Sequence, residues 1–396
     1  GVFNHTGSNS VYFNKDGKYD SVGAYQSTDS KYYPWYSFTD HPEEYESWWG
    51  FKTLPNVNEL EESFEDFIVL SEDSIVKRWI KEGAAGWRLD VSDELPEKFI
   101  RDIRREVKKT NSDAVIIGEV WEDASNKVCY GEQRCYLLGD ELDSVMNYPF
   151  RSILLSFLHG EIDGERFKQE INSQYENYPM ETFYSLMNLV GSHDRARIKT
   201  VLGKAPVEYN LSLDEIAHYR LPEDKEKLAD KNIRLAAAVQ MTFPGVPSIY
   251  YGDEAGMQGY RDPFSRGTYP WGDEDKELIK WYMDIISLRK RTDCLRTGVF
   301  KLDYCANDVV SYIRYIKDGR DVFGNPKDNG FALVVLNRSI DAGRWVEIDI
   351  HDTVSDYLYD ALDTNYRIPI IDSKARLHIH PLQFRILLDK QASGME

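Results

Sequence analysis

Three carboxylates stand at the ends of apolar, strand-like runs: Asp90 in GWRLDV, Glu119 in GEVW and Asp194 in GSHD. Two carboxyl groups on one rim can cleave an acetal. One, protonated, gives a proton to the departing oxygen; the other, ionised, attacks the acetal carbon. Pairs that work with retention stand ~5–5.5 Å apart, a spacing that adjacent strand ends can supply. A single acid at a strand end is more often a helix cap or an ion-pair partner, so the argument rests on the joint pattern. Arg88 lies two residues before Asp90. Strand alternation puts both on one face, where the guanidinium can pair with the carboxylate. His193 adjoins Asp194 and could donate to a hydroxyl; the plainer reading is a structural histidine.

The elements that would position these groups alternate. SEDSIVKRWIKEG reads as a helix that Ser71 can cap, with Ile75, Trp79 and Ile80 on one face. AAGWRLDV is a short strand, PEKFIRDIRREVKKT a helix with Pro96 near its first turn, and AVIIGEVW a strand. LDSVMNYP and YSLMNLVGSHD follow as strands, then DKNIRLAAAVQMTF as a helix, GVPSIYYGDE as a strand and DKELIKWYMDIISLRKR as a helix. Strands alternating with helices imply a parallel sheet with right-handed crossovers. Polar residues at strand after strand's C-terminal end suit a (β/α)8 barrel, whose active face lies there. No glycine-rich phosphate loop opens a helix, which disfavours a nucleotide fold. From about residue 298 short strand-like runs replace the alternation and predict an antiparallel β-sandwich.

Composition narrows the ligand. The net charge of −19 argues against a nucleic-acid partner, whose phosphates demand Lys and Arg. The 26 Tyr and 9 Trp suit a binder of neutral sugars, whose apolar ring faces stack on flat side chains; a large aromatic core is the other reading. No apolar run is long enough for a membrane span. The 4 Cys show neither a disulfide scaffold nor paired CxxC motifs for zinc. Residues 8–60 are irregular and rich in aromatics, long for a structureless loop and so expected to be functional or a small subdomain.

GVFNH, LPNVN, GWRLDV, GEVW, LVGSHD and GVPSIYYGDE follow one another in that order. Together they resemble the ordered sequence regions of the α-amylase superfamily of glycoside hydrolases. With EVWEDAS and DSVMNYPF, they look closest to its neopullulanase, cyclomaltodextrinase and maltogenic amylase branch. The resemblance implies retaining hydrolysis of α-1,4, and possibly α-1,6, glucosidic bonds in α-glucans or maltooligosaccharides. Asp90 would be the nucleophile, Glu119 the general acid/base and Asp194 a third carboxylate gripping the distorted sugar. His5, Arg88 and His193 would hold the sugar at the cleavage point. Asn4 matches a calcium ligand in many members, so calcium is a possible cofactor; no organic cofactor is implied. The family inserts a B domain near residues 6–60, which makes Trp35, Tyr45, Trp48 and Trp49 candidate sugar platforms, and Trp121 could line a product-side subsite. Arg195 and Ala196 depart from the family's usual pair, which touches fine specificity rather than the chemistry.

The implied architecture is a (β/α)8 barrel over residues 1–297 with the B-domain insertion, followed by a β-sandwich over 298–396. Strands that open the family's barrel have no counterpart in the sequence, so they are expected from upstream sequence or from another chain. A homo-oligomer is open, as is the compartment. Two other functions compete. An α-glucan transglycosylase would pass the same covalent intermediate to a sugar hydroxyl. A non-catalytic glycan-binding protein on the same scaffold would be marked by loss of the three carboxylates, all of which are kept.

Overall fold

Gly86 begins the first parallel strand because nothing larger fits there: a Cβ would sit 1.9 Å from the carbonyl oxygen of Val115 on the next strand. The computed structural model describes residues 1–353 and 355–393. Val354 and residues 394–396, inside the span expected for the sandwich, lie outside the described residues. The chain divides into two compact units, Gly1–Met146 and Asn147–Glu396.

In the first unit, helix α1 (Ile75–Lys81) leads to strand β1 (Gly86–Leu89), and α2 (Glu97–Thr110) leads to β2 (Val115–Gly118) and then β3 (Ser144–Val145). The three strands are parallel, with Arg88 opposite Ile117 and Gly118 opposite Val145. Helix α2 buries Phe99, Ile100, Ile103 and Val107 at helical spacing, and ends on Lys108 and Lys109, which favour the negative end of its dipole. Two expectations for α1 fail. Ser71 does not cap it, because its N–H still closes the preceding turn on Asp66. Ser74 stands at the cap position instead, its hydroxyl turned back to the Val69 carbonyl. The helix therefore buries Val76, Lys77 and Ile80, and leaves Trp79 exposed.

Residues 6–60 hold 3-10 turns at Tyr33–Trp35 and Trp48–Gly50, a short antiparallel pair, Phe38–Asp40 with Glu44–Tyr45, and isolated antiparallel bridges such as Ser47 with Pro55. They have a core of their own. Phe13 is fully buried, with the rings of Tyr36 and Tyr45 at 4.9 and 4.8 Å. Buried Asn14 donates to the carbonyls of Tyr19 and Ser21, supplying partners that regular structure would otherwise provide.

The second unit begins with α3 (Tyr148–His159), α4 (Gly164–Asn177) and β4 (Met187–Leu189). Helix α5 (Glu223–Thr242), β5 (Val246–Ser248) and α6 (Lys276–Arg291) follow. Strands β4 and β5 are parallel, Met187 opposite Val246. Helix α5 starts well before the expected residue 230, since its charged first turns carry no apolar stripe to read.

The remainder is β6 (Val299–Ala306), β7 (Val309–Ile316), β8 (Gly330–Asn337), β9 (Arg344–Asp349), β10 (Tyr357–Asp360), β11 (Arg367–Ile371), β12 (Lys374–Ile379) and β13 (Gln383–Leu388). They form one antiparallel sheet ordered β6-β7-β8-β13-β10-β11-β12-β9. It curls, sandwich-like, around a single core that includes Phe331, Leu333, Val346, Ile348, Leu358, Leu377 and Leu387. Strands β11 and β12 were not expected. Pro369 interrupts the apolar run of β11, and the turn to β12 puts Asp372 and Ser373, rather than glycine, at positive φ.

Candidate active site

Parallel pairing of β1 with β2 puts Asp90 and Glu119 at neighbouring strand ends, and Arg88 joins them. Its Nη1 pairs with Asp90 Oδ1, and its Nη2 lies 2.9 Å from Glu119 Oε1. Its Nε donates to Met146 Sδ at 3.3 Å, just beyond β3, which fixes the plane of the guanidinium. Glu119 is 5 % exposed, and both its oxygens are held. Oε1 also accepts from the indole N–H of Trp121 at 3.2 Å, and Oε2 accepts from the backbone N–H of Val91 at 2.8 Å. Two carboxyl groups that share one guanidinium point at the same rim.

Asn4 and His5 border this group. His5 Nδ1 donates to Asn4 Oδ1 at 2.8 Å, which leaves Nε2 as the free position of the neutral ring. Burial lowers the pKa of His5, with the charge of Asp90 pulling the other way. The His5 ring lies flat on Trp48, centroids 4.9 Å apart and planes 10° apart, and Trp48 in turn stacks on Trp49 at 5.0 Å. Trp49 is 74 % exposed and takes a left-handed φ of 49° just before Gly50. A flat aromatic surface thus runs outward from His5.

Trp35 does not belong to that surface. It is 4 % exposed, packs on Phe64 at 5.1 Å and Phe67 at 5.6 Å, and donates its indole N–H to Ser63. No face of its ring is open to a sugar. Tyr45 is likewise buried. Asn4, 4 % exposed, brings one oxygen that His5 already engages, and among the described residues no three His, Cys, Asp or Glu side chains converge on a point that could take a metal ion.

In the second unit, the loop after β4 carries His193 and Asp194. His193 Nε2 is 3.1 Å from Asp194 Oδ2, and Arg266 Nη2 is 3.3 Å from Oδ1. The loop rests on the residues after β5. Gly191 is required there, since a Cβ would lie 2.0 Å from Asp253 Oδ2. Asp253 is buried, which pushes its pKa up to about 7 against the pull of Arg197. Arg197, fully buried, places Nη1 3.2 Å from Asp253 Oδ1, and its guanidinium lies 4.3 Å from the Tyr250 ring and 4.7 Å from the Tyr251 ring. Arg266, Asp253 and the Val91 N–H were not foreseen. GVPSIYYGDE contains Asp253, but only folding pairs it with the loop at 191–197.

The alpha-amylase catalytic-domain model matches residues 1–293, and the chain belongs to that family, whose fold is the (β/α)8 barrel. An amylopullulanase of Thermoanaerobacterium thermosulfurigenes is 38 % identical over 367 residues, covering 86 % of this chain and 19 % of the relative. A cyclomaltodextrinase of a Bacillus species is 34 % identical over 288 residues, covering 72 % and 43 %. The solved structure of a cyclomaltodextrinase superposes with a TM-score of 0.77 at 28 % identity, over 97 % of this chain and 59 % of that one. The chain thus spans less than half the length of these two sequence relatives.

Proposed function

We propose that this chain carries the catalytic centre of a retaining α-glucan hydrolase. The observation that carries the reading is the single guanidinium of Arg88 shared by Asp90 and Glu119. In the first step Asp90 attacks the anomeric carbon while Glu119 gives its proton to the glycosidic oxygen. The bond to the leaving sugar breaks and an ester to Asp90 forms. In the second step Glu119, now a carboxylate, takes a proton from water, whose oxygen displaces Asp90 and restores the α configuration. Asp194 and His193, in the second unit, keep the role that the family resemblance gives them, holding sugar hydroxyls and favouring the distorted form. His5 offers Nε2 to the same sugar, and the Trp48–Trp49 surface gives further glucose units an apolar face. Residues 6–60, with their own small core, serve as the B domain. The substrates are α-1,4-linked maltooligosaccharides, in keeping with relatives named amylopullulanase and cyclomaltodextrinase.

The test is proton NMR of the first product released from maltotriose. An α anomer that mutarotates later is expected; an initial β anomer would defeat the two-step scheme. Asp90→Asn should lose turnover by several orders of magnitude and still bind maltotriose. Binding without turnover by the unmutated protein would instead favour a glycan-binding role.

A further inference from the structure

Glu119 is held from one side by a backbone group in a conformation that its residue disfavours. Val91 has φ 39° and ψ 56°, a left-handed geometry that is strained for a β-branched side chain. That geometry directs its N–H to Glu119 Oε2 at 2.8 Å. The following residue continues the contact, with Ser92 N–H donating to the Glu119 carbonyl at 3.2 Å. Strain of this kind persists only where surrounding structure over-determines it.

The over-determination comes from the excursion between Glu122 and Glu141. Arg134, 8 % exposed, donates from Nη2 to the carbonyls of Leu95 at 2.7 Å and Ser92 at 3.3 Å, and from Nη1 to that of Asp93 at 3.3 Å. Tyr136, on which its guanidinium lies at 4.8 Å, donates its hydroxyl to Asp93 Oδ1 at 2.6 Å, and Lys127 pairs with Oδ2 at 3.2 Å. Arg134, Tyr136 and Lys127 converge on the turn 91–95, joined by Cys129 and Tyr130, and none of them reaches Asp90 or Glu119 among the described contacts.

We propose that Arg134 is a positioning residue for Glu119: it locks the turn Val91–Leu95 and so aims the Val91 N–H at the carboxyl. The inference rests on the acid/base role of Glu119 given above. In the first step, the one that kcat/KM reports, a misplaced acid harms only leaving groups that need its proton. Maltotriose has an alcohol leaving group and needs protonation; α-maltosyl fluoride departs as fluoride and does not.

The experiment compares kcat/KM on both substrates for the full chain and its Arg134→Ala, Tyr136→Phe and Glu119→Gln variants, because kcat/KM reports the first step and leaves out the Glu119-assisted second step that both substrates share. General acid catalysis contributes ~10²–10⁴-fold, and a misplacement near 1 Å can cost ~10²-fold. For Arg134→Ala the expected loss in kcat/KM is therefore ~30–100-fold on maltotriose and less than about 3-fold on α-maltosyl fluoride. Tyr136→Phe should show the same selectivity at smaller amplitude, and it carries the test if Arg134→Ala does not fold. Equal losses on both substrates, or no loss, would overturn the inference if Glu119→Gln itself is selective. A Glu119→Gln variant that loses both activities equally would instead overturn the acid/base reading, and this inference with it.

Discussion

Replacing Arg88 by alanine removes a group that touches both carboxylates. It ends the pair with Asp90, the 2.9 Å contact with Glu119 Oε1 and the contact with Met146 Sδ. The charge-assisted hydrogen bond to Asp90 contributes ~1.5–3 kcal/mol, and the close ion contact with Glu119, which is not aligned as a hydrogen bond, adds a charge attraction on the order of 4 kcal/mol before screening. The Arg88 and Asp90 side chains are 27 % and 20 % exposed, so water screens part of this. Glu119 keeps the Val91 and Trp121 donors. A net effect of about 3–4 kcal/mol on the placed pair follows, and at ~1.4 kcal/mol per decade it lowers kcat by roughly 10²–10³-fold. Lysine should not rescue, because a point charge on a flexible stem cannot engage two carboxylates as a fork does. The assay is steady-state release of reducing ends from maltotriose, with thermal melting run alongside to separate placement from folding. An Arg88→Ala variant within 3-fold of the original kcat, or an Arg88→Lys variant near it, would refute the bridging argument.

Two further outcomes are expected. Trp35→Ala should cost ~3–5 kcal/mol of stability, the range for emptying a core tryptophan, and should lower Tm by about 10 °C; a raised KM with an unchanged Tm would return Trp35 to the sugar surface. Glu141 is fully buried, which pushes its pKa up to about 7, with Glu97 adding like charge and Arg101 opposing. The folded state then binds a proton that the unfolded state releases between about pH 4.5 and 7, so stability falls as pH rises through that window, by up to about 3 kcal/mol. Glu141→Gln should flatten the dependence of urea midpoint on pH across it, whereas an unchanged slope would assign the effect elsewhere.

Much of the fold was legible because its elements carry their own periodicity. Helix α2 shows it in Phe99, Ile100, Ile103 and Val107, and β7 and β8 are near-continuous apolar runs. The five parallel strands of the described residues were readable as short apolar stretches between polar ends, except that in LDSVMNYP only Ser144–Val145 is strand and Tyr148 already opens α3, capped by Asn147. What escaped was set by neighbours. Ser71 looked like a cap until the preceding turn claimed its N–H. Trp35 and Trp49 are equally aromatic on paper, yet one lies in a core of rings and the other is 74 % exposed. Strands β11 and β12 hid behind Pro369 and a turn without glycine.

The order of the motifs and the identity of the carboxylates were determined by the sequence itself, because residue type at a strand end is a local property. That Arg88 would reach both Asp90 and Glu119, that Arg266 would stand on Asp194, and that Val91 would be strained toward Glu119 were decided only by tertiary structure. Each depends on where a strand stops and on which side chain arrives from far along the chain. Distances of that kind are fixed by packing between elements, and no pattern within one element encodes them.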